Sequence, residues 1–272
     1  MITFTLPEEL RSLVRSEQGR AYSAMFEASA KALYTLVANP KFIGADLPGF
    51  FGVLHTWGRQ LQYHPHIHYI VPGGGIDRKS ETWKTSREDF FVSVHALGRV
   101  FRGKLRTAFE KLGLLKYTDP EVWRRPFIVN SQAVGSNPEG AIKYLAPYVF
   151  RVAISDSRII SVNNRKVTFI YKKKGSNRYR RTTLDVFEFI RRFLQHVLPK
   201  GFMKVRYYGF MSSASRLSAR EVATMIELAH AFEVTLEFPA ETPDTQRESS
   251  CPKCGGKLQV SRFIRPRHLV PG

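Results

Sequence analysis

The run Tyr63-His64-Pro65-His66-Ile67-His68-Tyr69-Ile70-Val71 constrains this chain more than any other stretch. Its aromatic and β-branched residues read as a strand from His66 to Val71, ended by Pro72-Gly73-Gly74-Gly75. Side chains two apart on a strand share a face. His66 and His68 therefore point one way, and Ile67 points the other way, toward a core. A second strand, Phe50 to His55, precedes it across a polar turn and brings His55 alongside. Two imidazoles so placed hold one metal ion between them. His55 is the preferred third ligand. His64 lies on the same face but beside a proline that breaks the strand, and Gln60 and Gln62 are further alternatives. The competing reading, a surface strand with chance histidines, needs three of the eight histidines to fall within five residues by accident.

The remaining periodicities alternate strands with helices. Ile2 to Leu6 reads as a short strand ended by Pro7, and Glu8 to Asn39 as mostly helical. Ser86 to Leu112 reads as a basic helix. Asn137-Pro138-Glu139 resembles a helix start, running to about Arg151. Ser157 to Leu184 reads as two strands joined by a basic loop. Asp185 to Leu198 is a helix, Lys204 to Phe210 a strand, and Ala219 to Phe232 a helix. From Pro239 the composition turns polar. This mix predicts an α+β fold with mainly antiparallel pairing. It divides into a catalytic region 1–156, a basic hairpin-helix-strand region 157–238 extending it, and a linker and tail 239–272.

Lys and Arg number 42 against 23 Asp and Glu, a formal charge of +19. Such an excess calls for a polyanion, and nucleic acid is the usual one. A basic face kept only for solubility is the plainer alternative. A membrane surface fits less well, because no single amphipathic stretch carries the charge. No apolar run approaches the ~20 residues of a membrane span, and the first residues lack the basic-then-apolar order of a signal peptide. The cationic residues interleave with aromatic ones in Tyr171, Lys172, Lys173, Lys174, Arg178, Tyr179, Arg180 and Arg181. That pattern suits a single strand, since cations track phosphates and rings stack on bases.

A second constellation is Ile142-Lys143-Tyr144-Leu145-Ala146-Pro147-Tyr148. Tyr144 and Tyr148 are four apart and share a face if the segment is helical. Pro147 would kink or break that helix near Tyr148. A tyrosine is a weak nucleophile at its ordinary pKa of about 10, and a metal on the attacked phosphate makes the attack feasible. Cys251-Pro252-Lys253-Cys254-Gly255-Gly256 has the spacing of half a zinc ribbon, with His268 as a further ligand. These are the only two cysteines, which fits a reducing compartment.

Taken together these motifs resemble the rolling-circle transposases of the His-hydrophobic-His (HUH) endonuclease superfamily. The resemblance is to the two-tyrosine branch typified by insertion sequence ninety-one. Phe4-Thr5-Leu6-Pro7 resembles its first strand motif, His66-Ile67-His68 its metal motif, and Tyr144-Leu145-Ala146-Pro147-Tyr148 its tyrosine motif. The order is the same, and the likeness continues through Arg151-Val152-Ala153-Ile154-Ser155, Phe189-Ile190-Arg191-Arg192-Phe193 and Arg206-Tyr207-Tyr208-Gly209-Phe210. Members usually carry a cysteine-rich zinc-binding segment ahead of the catalytic domain, whereas Met1 here leads directly into the first strand.

The resemblance implies an antiparallel central sheet flanked by helices, with a ferredoxin- or RRM-like core. It implies Mg2+ or Mn2+ held by His66, His68 and His55, with Tyr144 and Tyr148 as nucleophiles. The DNA contacts would come from Arg151, Lys172, Lys173, Lys174, Arg178, Arg180 and Arg181. A Zn2+ ion at Cys251 and Cys254 is a further expectation. The implied reaction nicks single-stranded DNA at transposon ends and target, leaving a 5′-phosphotyrosine link and a free 3′-hydroxyl. No Gly-Lys-Ser/Thr phosphate loop appears, so unwinding falls to a host helicase. The implied place is the bacterial cytoplasm, at the nucleoid. Three rivals share part of this pattern: a replication initiator or relaxase with the same chemistry, a truncated non-catalytic DNA-binding remnant, and a metal-dependent hydrolase that uses water and forms no covalent adduct.

Overall fold

The computed structural model describes residues 1–134, 153–172, 176 and 178–231. All of these fall in one compact unit, Met1–Glu233. Strand β1 (Ile2–Thr5) leads through a short 3-10 turn into helices α1 (Arg11–Ser16) and α2 (Gln18–Val37). Strands β2 (Gly49–Trp57) and β3 (Tyr63–Ile70) form a long hairpin, followed by a small one, β4 (Gly74–Asp77) with β5 (Thr82–Thr85). Helix α3 (Val94–Lys111) precedes β6 (Val129–Ser131). Beyond it lie β7 (Ile159–Asn163), β8 (Lys166–Lys172), β9 (Tyr179–Asp185), α4 (Val186–Leu194), β10 (Val205–Gly209) and α5 (Ala219–His230).

The central sheet has the order β10-β2-β3-β1-β6, with every neighbouring pair antiparallel. The antiparallel sheet with flanking helices expected from the sequence is therefore present. Strand alternation divides the faces. Ile2 and Phe4 of β1, Phe50 and Leu54 of β2, and Ile67 and Tyr69 of β3 are buried together in the main core. Helices α2 and α3 cover this face. Phe26 of α2 meets the Tyr69 ring edge-on, and Phe101 of α3 meets Phe4 at 5.0 Å. Phe4 is fully buried at this junction. Phe4→Ala should cost about 3–5 kcal/mol, the usual loss for a large aromatic in a packed core. Urea unfolding followed by circular dichroism would measure it, and a change within 1 kcal/mol would contradict the packing described.

Two glycines let rings and backbone approach. At Gly52, paired with Tyr69, a Cβ would lie 2.4 Å from the tyrosine ring, so only glycine leaves that ring its place. Gly209 ends β10 with φ +60°, and a Cβ there would meet the Pro48 carbonyl oxygen.

Several boundaries differ from the sequence expectation. Pro65 does not end β3. Between the pairs His55↔His66 and Trp57↔Tyr63 the β3 strand carries one extra residue, a bulge. A proline needs no N–H partner at a bulge, and its carbonyl still accepts from the Leu6 N–H. The helix expected from Ser86 begins only at Val94, because the Ser93 hydroxyl caps it by accepting from the Ala96 N–H. The region 157–184 forms three strands, in the order β7-β8-β9, rather than two. Asn164 and Arg165 both adopt positive φ, 47° and 59°, which closes the β7–β8 hairpin in two residues without glycine. The helix expected over Asn137–Arg151 lies outside the described residues. Among the described residues no helix is long and apolar enough to cross a membrane.

Candidate metal centre

The face of the sheet away from α2 and α3 carries the histidines. Register places His55 of β2 directly opposite His66, and Val53 opposite His68. On the other side of β3, Thr3 faces His68 and Thr5 faces His66. One ligand nitrogen from each of His55, His66 and His68 lies within 4.8 Å of the others. Ring centroids are 4.7 Å apart for His66–His68, 4.9 Å for His55–His68 and 5.5 Å for His55–His66.

The surrounding groups orient these rings. His66 Nδ1 donates to the His64 carbonyl at 2.6 Å, so in the neutral ring Nε2 keeps its lone pair. His68 Nδ1 lies 3.0 Å from the Thr3 hydroxyl, which can accept its proton and leave Nε2 for a metal. His55 is 2% exposed, and Trp57 stacks on it at 4.6 Å with planes 19° apart. This shell fixes ring orientation before any ion arrives. Three imidazoles at this spacing have the chemistry of a metal site.

His64 lines the same cleft but stands outside the three-nitrogen cluster. Burial, then the neighbouring Arg11 charge, lowers its pKa. Gln62 is exposed, and its side-chain oxygen accepts from the Gln60 N–H within the β2–β3 turn. Tyr63, the tyrosine adjacent to the histidine run, is directed into the core, where its hydroxyl meets that of Tyr22 at 2.6 Å. Burial and the Tyr22 hydroxyl push its pKa up, so it holds its proton.

The histidines open into a cleft of about 640 Å³. Its walls include Arg59, Arg158, Lys172 and Tyr179, with Ser155 and Ser157, and among the described residues no acidic group lines it. The basic side is built by packing between distant segments. Arg59 in the β2–β3 turn donates to the Lys172 carbonyl at the end of β8. Arg158 donates to the carbonyls of Ile170 and Arg59. Below them Leu61, Ala153, Ile154 and Phe169 form a second small core, and Leu61 holds a positive φ of 61°. His196, after α4, secures that turn. Its Nε2 donates to the Leu61 carbonyl, and its Nδ1 faces the Thr56 hydroxyl at 3.3 Å. Burial lowers the His196 pKa, against the smaller raising effect of the Leu61 carbonyl.

Of the residues singled out from the sequence, His55, His66, His68, Lys172 and Tyr179 meet at this cleft. Arg178, Arg180 and Arg181 are exposed on or beside β9. Tyr144, Tyr148, Arg151, Lys173, Lys174, Cys251, Cys254 and His268 lie outside the described residues. The sequence reading missed Thr3, Arg59 and Arg158. Thr3 was detectable, because it precedes Phe4 on the first strand and alternation turns it to the histidine face. Arg158 carried no local signal.

Comparison with known proteins bears on what this cleft belongs to. Residues 49–218 match the family model Y2_Tnp, described as "Putative transposase". The chain belongs to this transposase family. A similar protein is "Putative transposase y4qJ" of Sinorhizobium fredii (strain NBRC 101917 / NGR234), 36% identical over 79% of this chain and 58% of that one. Another is "Transposase for insertion sequence element IS801" of Pseudomonas savastanoi pv. phaseolicola, 28% identical over 78% of this chain and 54% of that one. The chain thus spans little more than half the length of these relatives. Among solved structures, the conjugative relaxase TrwC in complex with mutant OriT DNA matches with a TM-score of 0.32 and 18% identity. That match covers 41% of this chain and 44% of the other.

Proposed function

We propose that the chain is the nicking and strand-transfer part of a rolling-circle transposase, acting on single-stranded DNA through a tyrosine nucleophile and a histidine-bound divalent metal. The observation that carries this reading is the three-nitrogen cluster of His55, His66 and His68 in a cleft walled by Arg59, Arg158 and Lys172, in a chain of a transposase family. His66 and His68 hold the metal through Nε2, with the His64 carbonyl and Thr3 hydroxyl fixing their rings. His55, shielded by Trp57, completes the set. When bound there, the metal supplies Lewis-acid polarisation of the scissile phosphate. Arg59, Arg158 and Lys172 draw the phosphodiester chain into the cleft and offset its charge. Tyr144 or Tyr148 attacks the phosphorus. The bond to the 3′-side oxygen breaks, giving a 5′-phosphotyrosine link and a free 3′-hydroxyl. The link conserves the bond energy, so the later strand transfer needs no nucleotide cofactor.

The donor set speaks to the metal. Mg2+ prefers an oxygen octahedron, whereas imidazole suits transition metals. Of the two ions expected from the sequence, Mn2+ is the better match to three nitrogens. The test is to incubate the protein with labelled single-stranded DNA across a range of Mn2+ and Mg2+. A denaturation-resistant protein–DNA adduct should form, with half-maximal yield at a lower concentration of Mn2+. Cleavage without any adduct would favour a water-using hydrolase instead. DNA binding with neither cleavage nor adduct would favour a non-catalytic remnant.

A further inference from the structure

Tyr179 is an exposed aromatic residue whose place the metal chemistry does not explain. It begins β9, the edge strand of the β7-β8-β9 sheet, and pairs across the ladder with Lys172. It is 64% exposed, and among the described residues its hydroxyl makes no hydrogen bond and its ring no aromatic pair. Yet it lines the same cleft as His66 and His68. A ring this exposed leaves most of its surface open among the described residues, so the wall it forms can take a ligand.

The register sorts the basic run around it. Lys172 and Tyr179 are cross-strand partners, as are Ile170 and Arg181, and Thr168 and Thr183. The two threonine hydroxyls meet at 2.9 Å, which fixes that set on one face. Tyr171 with Arg180, and the buried Phe169 with Thr182, belong to the other face. One face therefore offers an exposed ring with a cation directly across from it, Lys172, and another two residues along its own strand, Arg181. A flat ring bracketed by cations at strand spacing matches a base bracketed by phosphates. A duplex would keep its bases stacked on one another, so the arrangement selects a single strand.

We infer that Tyr179 is a base-stacking platform that seats one unpaired nucleotide beside the histidine centre, with Lys172 and Arg181 holding its flanking phosphates. This rests on the reading of single-stranded DNA as substrate, and it adds which residue grips the base. Stacking uses the ring and not the hydroxyl. The role is thus distinct from that of a nucleophile, and Tyr179 acts on the reaction by positioning the strand.

The test is equilibrium binding by fluorescence anisotropy in EDTA, where no cleavage occurs, using a labelled single-stranded oligonucleotide. A second oligonucleotide of the same length made only of abasic sugar-phosphate units keeps the charges and lacks the rings. Tyr179→Ala should weaken binding to the normal strand by about 5- to 150-fold, the range set by base–aromatic stacking. It should bind the abasic strand as well as the unaltered protein does. Tyr179→Phe and Tyr179→Trp should keep wild-type affinity, and Tyr179→Phe should keep adduct formation with Mn2+. Unchanged affinity in Tyr179→Ala would overturn the platform, as would an equal loss on the abasic strand. Loss of the adduct in Tyr179→Phe with binding intact would overturn it too, in favour of chemistry at the hydroxyl. If the unaltered protein binds neither strand, the single-strand reading itself falls, an outcome separate from the other three.

Discussion

His66→Ala should lower metal-dependent nicking of single-stranded DNA by about a thousand-fold or more, while DNA affinity in EDTA stays within a few-fold. The factor follows from several kcal/mol of charge stabilisation lost with the bound cation. His66 is the residue to change because it stands at the centre of the site. It faces His55 across one strand pair and Thr5 across the other, and shares its face with His68. Its ring is half-buried on the side of the sheet away from α2 and α3, so the main core keeps its packing without it. Titration calorimetry with Mn2+ gives an independent readout, and affinity should fall with the activity. His55→Ala removes one of three nitrogens and should also weaken Mn2+ binding. Retained Mn2+ affinity in His55→Ala would shift the third ligand to His64, Gln60 or Gln62. Nicking by His66→Ala at the wild-type rate would sink the metal assignment entirely.

The double substitution of Tyr144 and Tyr148 by phenylalanine should abolish the covalent adduct on single-stranded DNA. Phenylalanine keeps the ring and removes only the hydroxyl, so the loss reports chemistry rather than folding. Both residues lie outside the described part of the structure, and the expectation rests on their spacing. Four residues on a helix put two hydroxyls one turn apart, about 5–6 Å between Cβ atoms. Two nucleophiles allow a second strand transfer while the first remains loaded, so each single substitution should impair complete transposition. Gel analysis under denaturing conditions reads the adduct, and an element-mobility assay reads the rest. Persistence of the adduct in the double mutant would remove both tyrosines from the mechanism. Tyr179, a tyrosine that lines the cleft, would then be the first to examine.

The parts of the fold legible in the sequence are those set by local periodicity. The alternation through His66-Ile67-His68-Tyr69 gave β3 and its two faces, and the apolar spacing from Tyr22 to Val37 gave α2. Elements closed by unusual local chemistry were less visible. The β7–β8 turn uses Asn164 and Arg165 at positive φ where glycine would have announced it. Pro65 looked like a strand end because its missing N–H matters in a regular ladder, and the bulge that excuses it is a property of the pair of strands.

The sequence by itself determined that two histidines share a face, that the chain is strongly cationic, and which family motifs stand in which order. Each follows from the alternation of a strand or from a count of charges, and needs no partner segment. Tertiary structure alone set which histidine's nitrogen stands beside those of His66 and His68. The β2–β3 register sets His55 against His66, and a slip of one residue would have turned His55 to the core face. It alone joined Arg59, Arg158 and Lys172 into one wall, through hydrogen bonds between residues about a hundred positions apart. It alone placed β10 beside β2. Such contacts form where buried surfaces match, and separation along the chain leaves no periodic trace of them.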